Sequence, residues 1–353
     1  AYVRASIPAS AGAEERPVLG LIAHIDTSFD APASGVSPRV VRYEGGPLVM
    51  GMVDGTTVQV TPDELPELAG FVGSDIVVTD GRTLLGADDK AGVAEIMALA
   101  ARLMADPTRP RPAIRLAFVP DEEIGHGAEL LDLDAFGAAW AYTVDGEALG
   151  EINYECFSAS QATVTVRGRP VHPGSAKGRM LNALTVLREF DGLVPQAQRP
   201  EHTEGREGFF HMIEMAGTPA RAVASYIVRD FDAGAFAARE QALRDIAAFL
   251  NGRYGADTVE VELHEQYRNM AERLEGLEFL VERAKAANEA VGLAPRCVAV
   301  RGGTDGAQLT FRGLPCPNLA TGGLLCHSVR EFIPVPSLEA TVDLLQDLVA
   351  RFA

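Results

Sequence analysis

Apolar runs that stop abruptly at acids or imidazoles recur through the first 150 residues. PVLGLIAHID (17–26) reads as a core strand through Ile22 and then presents His24 and Asp26. Residues i and i+2 of a strand project to the same face, so those two side chains point together. DIVVTDGRTLLGADD (75–89), AIRLAFVPDEE (113–123) and AAWAYTVDG (138–146) repeat the pattern. A Gly/Pro-rich excursion separates the first run from the second, and KAGVAEIMALAARLMA (90–105) has the spacing and alanine content of a helix. Alternating helices and continuous apolar strands predict an α/β domain with a mostly parallel sheet. Such sheets carry functional residues at the carboxyl ends of their strands.

The pattern changes near residue 155. SASQATVTVRG (158–168) alternates by two, as a half-exposed antiparallel strand does, and RAVASYIVRDF (221–231) and DTVEVELHEQY (257–267) read as further strands. Helical spacing returns in MLNALTVLREFDGL (180–193) and AGAFAAREQALRDIAAFL (233–250). After about 270 the segment LEFLVERAKAANEAVG (277–292) and short apolar strands resume the first pattern. The organisation expected is a larger α/β domain, residues 1–155 and 268–353, interrupted by a smaller α+β domain, 156–267.

Composition narrows the function. The 353 residues are 47% hydrophobic, ample for two domains, and the net charge is −18 from 49 acids against 31 bases. Without a basic cluster, neither nucleic acid nor an anionic membrane is an expected partner. No apolar run approaches the ~18 residues of a membrane-spanning helix. Cys156, Cys297, Cys316 and Cys326 form no CxxC pair, which argues against a disulfide framework or thiolate zinc site and for a reducing compartment. With no signal segment visible, a cytoplasmic location is expected. A GxGxxG after a strand is absent, which sets aside a dinucleotide site.

The interrupted strands carry the candidate chemistry. Beside His24 and Asp26 stand Asp88 and Asp89 before a helix, Asp121, Glu122 and Glu123 after a strand, Asp145 at a strand end, and His327 in GGLLCHS (322–328). Taken singly, each has a plain structural explanation: a helix cap, a Val-Asp-Gly turn, a solvated loop. Gathered on one sheet edge, these carboxylates would repel without cations. Two imidazoles with several carboxylates suit zinc or another first-row divalent ion. A carboxylate shared by two ions leaves a water between them, and the surplus acid of PDEE leaves one glutamate free as a general base.

HIDT, LLGADDKAG, PDEEIG, YTVDG, VHPGSAKGRMLNAL, YIVRDFD, RGGTDGAQLTFRGLPCPN and TGG…H occur in order from about residue 17 to the end. This collinear set resembles the peptidase T family, tripeptide aminopeptidases among the di-zinc metallopeptidases. The resemblance implies one zinc at His24, Asp88 and Asp145 and a second at Asp88, Glu123 and His327, with cobalt or manganese as alternatives. It implies Glu122 as the general base acting on the bridging water, Asp26 as the residue that orients His24, and a cis Asp88–Asp89 peptide. The larger domain would then be a di-metal catalytic domain and the inserted one its lid, whose His172 in VHPG would stabilise the tetrahedral oxyanion. Arg229 and Arg301 would pair with a substrate carboxylate, with an Arg229 salt bridge to Asp230 or Asp232 as the structural alternative, and Asn182 would line the cleft. The implied partners are a short peptide substrate and a second copy in a homodimer.

Two features depart from the family: only residues 1–16 precede the expected first strand, and Cys326 stands beside His327 in TGGLLCHSVREFIP (321–334). Rival readings are another di-zinc amidohydrolase of the same fold (dipeptidase, carboxypeptidase or deacylase), or a catalytically silent metal-binding interaction protein.

Overall fold

A computed structural model describes residues 2–353, and the chain divides into two compact units. The first comprises the chain up to Tyr154 with Arg273–Val298 and Thr304–Ala353. Its seven-stranded sheet runs, in spatial order, Val3–Ile7, Ile114–Val119, Leu19–His24, Trp140–Gly146, Asn318–Ala320, Glu151–Asn153 and Arg296–Cys297. The sheet is mixed, with a parallel centre: Leu19–His24 pairs in parallel with both Ile114–Val119 and Trp140–Gly146, and Trp140–Gly146 with Asn318–Ala320. Every residue of Leu19–His24 is buried, as a central strand covered on both faces requires. Helix Ala87–Ala105 packs on this strand, with Val335–Ala350 against the same helix. Gly92 permits the helix's approach to the neighbouring strand Trp140–Gly146, because a Cβ there would lie 1.9 Å from the Val144 carbonyl oxygen.

Two stretches differ from expectation. The first strand is Val3–Ile7, an antiparallel edge beside Ile114–Val119. Its first four residues are exposed, so it lacks the apolar signature that marks its neighbours. The Gly/Pro-rich excursion is also ordered. Leu48–Val53 and Thr56–Val60 form a hairpin, and Arg39–Arg42, Asp75–Val78 and Phe332–Pro334 a three-stranded sheet. Tyr43, Leu48, Met50, Val60, Leu68, Ile76, Val78 and Phe332 build a separate core there.

The second unit comprises Glu155–Glu272 and Ala299–Gly303. The division therefore falls at 154/155 and 272/273, where the sequence placed it at 155/156 and 267/268, and 299–303 join the inserted unit through a bridge between Val300 and Cys156. Its four antiparallel strands are ordered Phe209–Gly217, Arg221–Asp230, Ser158–Arg167 and Val259–Tyr267. Arg221–Asp230 alternates in burial along its length. Its inward residues meet helices Ala183–Leu193 and Ala233–Tyr254 in a core of Val164, Val186, Leu187, Phe190, Tyr226, Phe236, Leu243 and Leu250. Phe209–Gly217 is the edge strand beside Arg221–Asp230.

Candidate metal centre

The carboxyl ends of three parallel strands and the loops that follow them supply the first unit's polar cluster. Leu19–His24 ends in a buried imidazole, Ile114–Val119 runs into the acids at 121–123, and Trp140–Gly146 carries Asp145. Asp88 lies at the start of helix Ala87–Ala105, where Asp88 and Asp89 have non-helical dihedrals and the peptide between them is cis. His327 approaches from the loop before Phe332–Pro334, at φ +60°. That left-handed conformation costs a non-glycine residue about 1 kcal/mol or more, so the surrounding contacts must hold it.

Asp88 is the centre of the arrangement. Its Oδ1 lies 2.9 Å from His24 Nε2, and its Oδ2 3.1 Å from His327 Nε2. His24 Nε2 also meets Asp145 Oδ1 at 3.3 Å, and His327 Nε2 meets Glu123 Oε2 at 3.2 Å. The structure thus brings together His24, Asp88, Asp145, Glu123 and His327, with Asp88 placed between the imidazoles. Donor atoms of His24, Asp88 and Glu123 fall within 4.8 Å of one another, as do those of His24, Asp89 and Asp145. Glu123 Oε1 is buried without a hydrogen-bond partner among the described residues. Imidazole and carboxylate donors converging around an orphaned oxygen fit a divalent cation chemically.

Asp26 has two tasks. One oxygen lies 3.3 Å from His24 Nδ1, and its two oxygens accept the backbone N–H groups of Glu122 and Glu123, each at 3.2 Å. A single carboxylate therefore anchors the backbone of both glutamates while facing the imidazole. Burial pushes Asp26 up, but hydrogen bonds from His24 and the Glu123 amide outweigh it and hold the carboxyl at about 2. Glu122 is half-buried, and burial with the nearby charges of Asp145 and Asp305 raises its carboxyl to about 9. Burial also lifts Asp145 to about 6. Hydrogen bonds to Asp88 and Glu123 raise His327 to about 11.

Three further acids support the cluster, and the sequence reading passed over each. Glu331 is 1% exposed and accepts the backbone N–H groups of Leu85, Gly86 and Asp88 at 2.7, 2.7 and 3.0 Å. Asp305 is buried and accepts the Ala128 N–H at 2.9 Å; burial and the Asp145 charge raise it to about 7. Asp30 Oδ2 lies 2.9 Å from His327 Nδ1. The available signals were the TDG at 304–306, the acid four residues after His327, and the second acid of HIDTSFD (24–30).

The remaining candidates belong to the second unit. His172 is exposed and caps a short turn, its Nδ1 accepting the Gly174 N–H at 3.1 Å. Asn182 caps helix Ala183–Leu193 by accepting the Leu184 N–H at 3.0 Å. Arg301 donates to the carbonyls of Gly205 and Glu207 and to the Thr203 hydroxyl, so its guanidinium secures that loop. Arg229 makes no salt bridge with Asp230 or Asp232 among the described residues: Asp230 pairs with Arg239 at 2.7 Å. The Arg229 guanidinium lies over the Tyr267 ring, its Nη1 donates to the Arg301 carbonyl at 3.5 Å, and its buried Nε has no hydrogen-bond partner among the described residues.

Two imidazoles share the Asp88 carboxylate at the carboxyl edge of an α/β sheet, with Glu122 beside them, and these donors suit divalent cations. The family described as peptidase family M20/M25/M40 matches residues 74–351, and the chain belongs to it. A peptidase T of Clostridium novyi (strain NT) is 43% identical over 354 residues, covering 100% of this chain and 86% of that protein. Among solved structures, aminopeptidase PepT from Bacillus cereus superposes with a TM-score of 0.79 at 22% identity, covering 99% of this chain and 84% of that one. A Bacillus subtilis protein described as a dinuclear metal-binding peptidase from the M20 family gives 0.63 at 16% identity, covering 99% and 84%. The chain is a peptidase of this family, and the inserted α+β unit accords with the family fold.

Proposed function

We propose that the chain is a zinc-dependent aminopeptidase that releases the N-terminal residue of tripeptides. The observation that carries the reading is Asp88, whose two oxygens face His24 and His327 separately. On this reading His24, Asp88 and Asp145 hold one ion, and Asp88, Glu123 and His327 the other. Two zinc ions so held would supply Lewis-acid polarisation of the scissile carbonyl and a lowered pKa for the attacking water. Full-length similarity to a peptidase T supports the tripeptide substrate.

Glu122 has the position of the base. Its backbone is fixed by Asp26, and its carboxyl is raised to about 9 without the balancing cations that binding would bring. A carboxylate that accepts a proton from water and returns it to the leaving amine works best when its pKa lies near the operating pH. Asp26 keeps His24 in the orientation that presents Nε2 to the cluster. His172 is assigned to the tetrahedral oxyanion. Arg229, with no carboxylate partner among the described residues, is assigned to the peptide's C-terminal carboxylate. Arg301, which also holds the 203–207 loop, is assigned to the same carboxylate, and Asn182 to the lining of the substrate site.

The test is hydrolysis of trialanine beside dialanine, tetra-alanine and N-blocked trialanine, in the parent and in Glu122→Gln with zinc added. Cleavage of the free tripeptide alone, lost about 10²–10⁴-fold in the variant at equal metal content, is expected. Turnover confined to blocked or acylated substrates would overturn the aminopeptidase reading and favour a deacylase of the same fold.

A further inference from the structure

Each imidazole at the centre turns its Nδ1 toward a carboxylate of one loop, the closer approach being at His327, and only one of those carboxylates has an assigned role. His24 turns Nε2 toward Asp88 and Asp145, and its Nδ1 lies 3.3 Å from Asp26. His327 turns Nε2 toward Asp88 and Glu123, and its Nδ1 lies 2.9 Å from Asp30 Oδ2. Asp26 and Asp30 belong to one loop, four residues apart, directly after the strand that ends in His24. We propose that Asp30 is a positioning residue for the second ion, fixing the tautomer and ring orientation of His327 as Asp26 does for His24. This rests on the reading of His327 as a ligand.

The physical need is greater at His327 than at His24. His24 is 2% exposed and fixed by a strand, whereas the His327 side chain is 44% exposed on a loop in left-handed conformation. An imidazole so placed can rotate about its side-chain bonds and present either nitrogen. A carboxylate accepting from Nδ1–H removes that freedom and makes Nε2 a better donor. Asp30 is itself steadied: the buried Ser28 hydroxyl donates to its Oδ2 at 2.9 Å, and the Asp30 N–H donates to Ser28 Oγ at 3.2 Å.

The experiment is a zinc titration of the metal-free full chain against a chromophoric chelator, comparing the parent with Asp30→Ala, Asp30→Asn, Ser28→Ala and His327→Ala. Asp30 is 68% exposed, so the thermal midpoint of the metal-free protein should be unchanged in its variants. The expected result is that Asp30→Ala weakens about 10–100-fold the same zinc equivalent that His327→Ala abolishes, leaving the other alone. Asp30→Asn, whose amide oxygen still accepts from Nδ1–H, should recover part of the loss, and Ser28→Ala should lose little. Parental affinity for both ions in Asp30→Ala would overturn the proposal, as would an equal loss in Ser28→Ala, which would assign the effect to loop order. Two ions held normally by His327→Ala would remove the ligand assignment itself, and the proposal with it.

Discussion

Glu95 is a buried carboxyl left without a hydrogen-bond partner on either oxygen among the described residues. It lies on helix Ala87–Ala105 and is 1% exposed. Burial raises its pKa well above that of an ordinary glutamate. Below about pH 4.5 the folded and unfolded chains both hold this proton, and there is no penalty. As pH rises the unfolded chain releases the proton while the folded chain keeps it, so stability falls by about 1.4 kcal/mol per pH unit until the folded group ionises. Glu95→Gln removes the titration. Its stability relative to the parent, measured by urea unfolding in the same metal state, should improve as pH rises above the ordinary glutamate range. A difference independent of pH would show that Glu95 is solvated or paired.

Between elements, Glu331 does what neither partner could do alone. It stands immediately before strand Phe332–Pro334 and accepts three amides of the loop that delivers Asp88, tying the His327 segment to the Asp88 segment. Removing the acceptor leaves those donors without partners, each at about 1–3 kcal/mol where water cannot reach. Glu331→Ala should destabilise the protein by about 3 kcal/mol or more. Glu331→Gln, which keeps one acceptor oxygen, should lose less, and equal losses in denaturant unfolding would argue against the clamp. Such cross-links explain what the sequence disclosed and what it withheld. Leu19–His24 and Trp140–Gly146 were legible because burial on both faces demands an unbroken apolar run. His24, Asp88 and Asp145 stood out as polar residues ending or following such runs. Glu331 and Asp30 interrupt nothing, and their roles depend on partners 243–246 and 297 residues away. The hairpin at 48–60 was legible in principle through Asp54-Gly55, both at positive φ as a tight hairpin turn requires, but its Gly/Pro-rich surroundings concealed it.

At the scale of the whole molecule, the acidity of the chain acquires a location. The carboxylates of Asp26, Asp88, Asp89, Glu122, Glu123, Asp145 and Asp305 all belong to the first compact unit, as do both imidazoles that face Asp88. Cations that bind this folded cluster and not the unfolded chain add stability by mass action, about 2.7 kcal/mol per site at a hundredfold excess over Kd. That stabilisation should be local, because the second unit has its own core and contributes none of these donors. Hydrogen exchange with and without two equivalents of zinc should therefore show new protection in 19–30, 84–92, 114–124, 140–146 and 320–334. Amides in the core of the 155–272 unit should exchange at unchanged rates, and a chelator should reverse the difference. Equal protection in both units would mean that the ions act on a coupled fold, and the centre would then have to be treated as a property of the whole chain. Protection confined to the first unit would make metal occupancy and the integrity of the inserted unit separately adjustable, so that stability lost in one could be restored without touching the other.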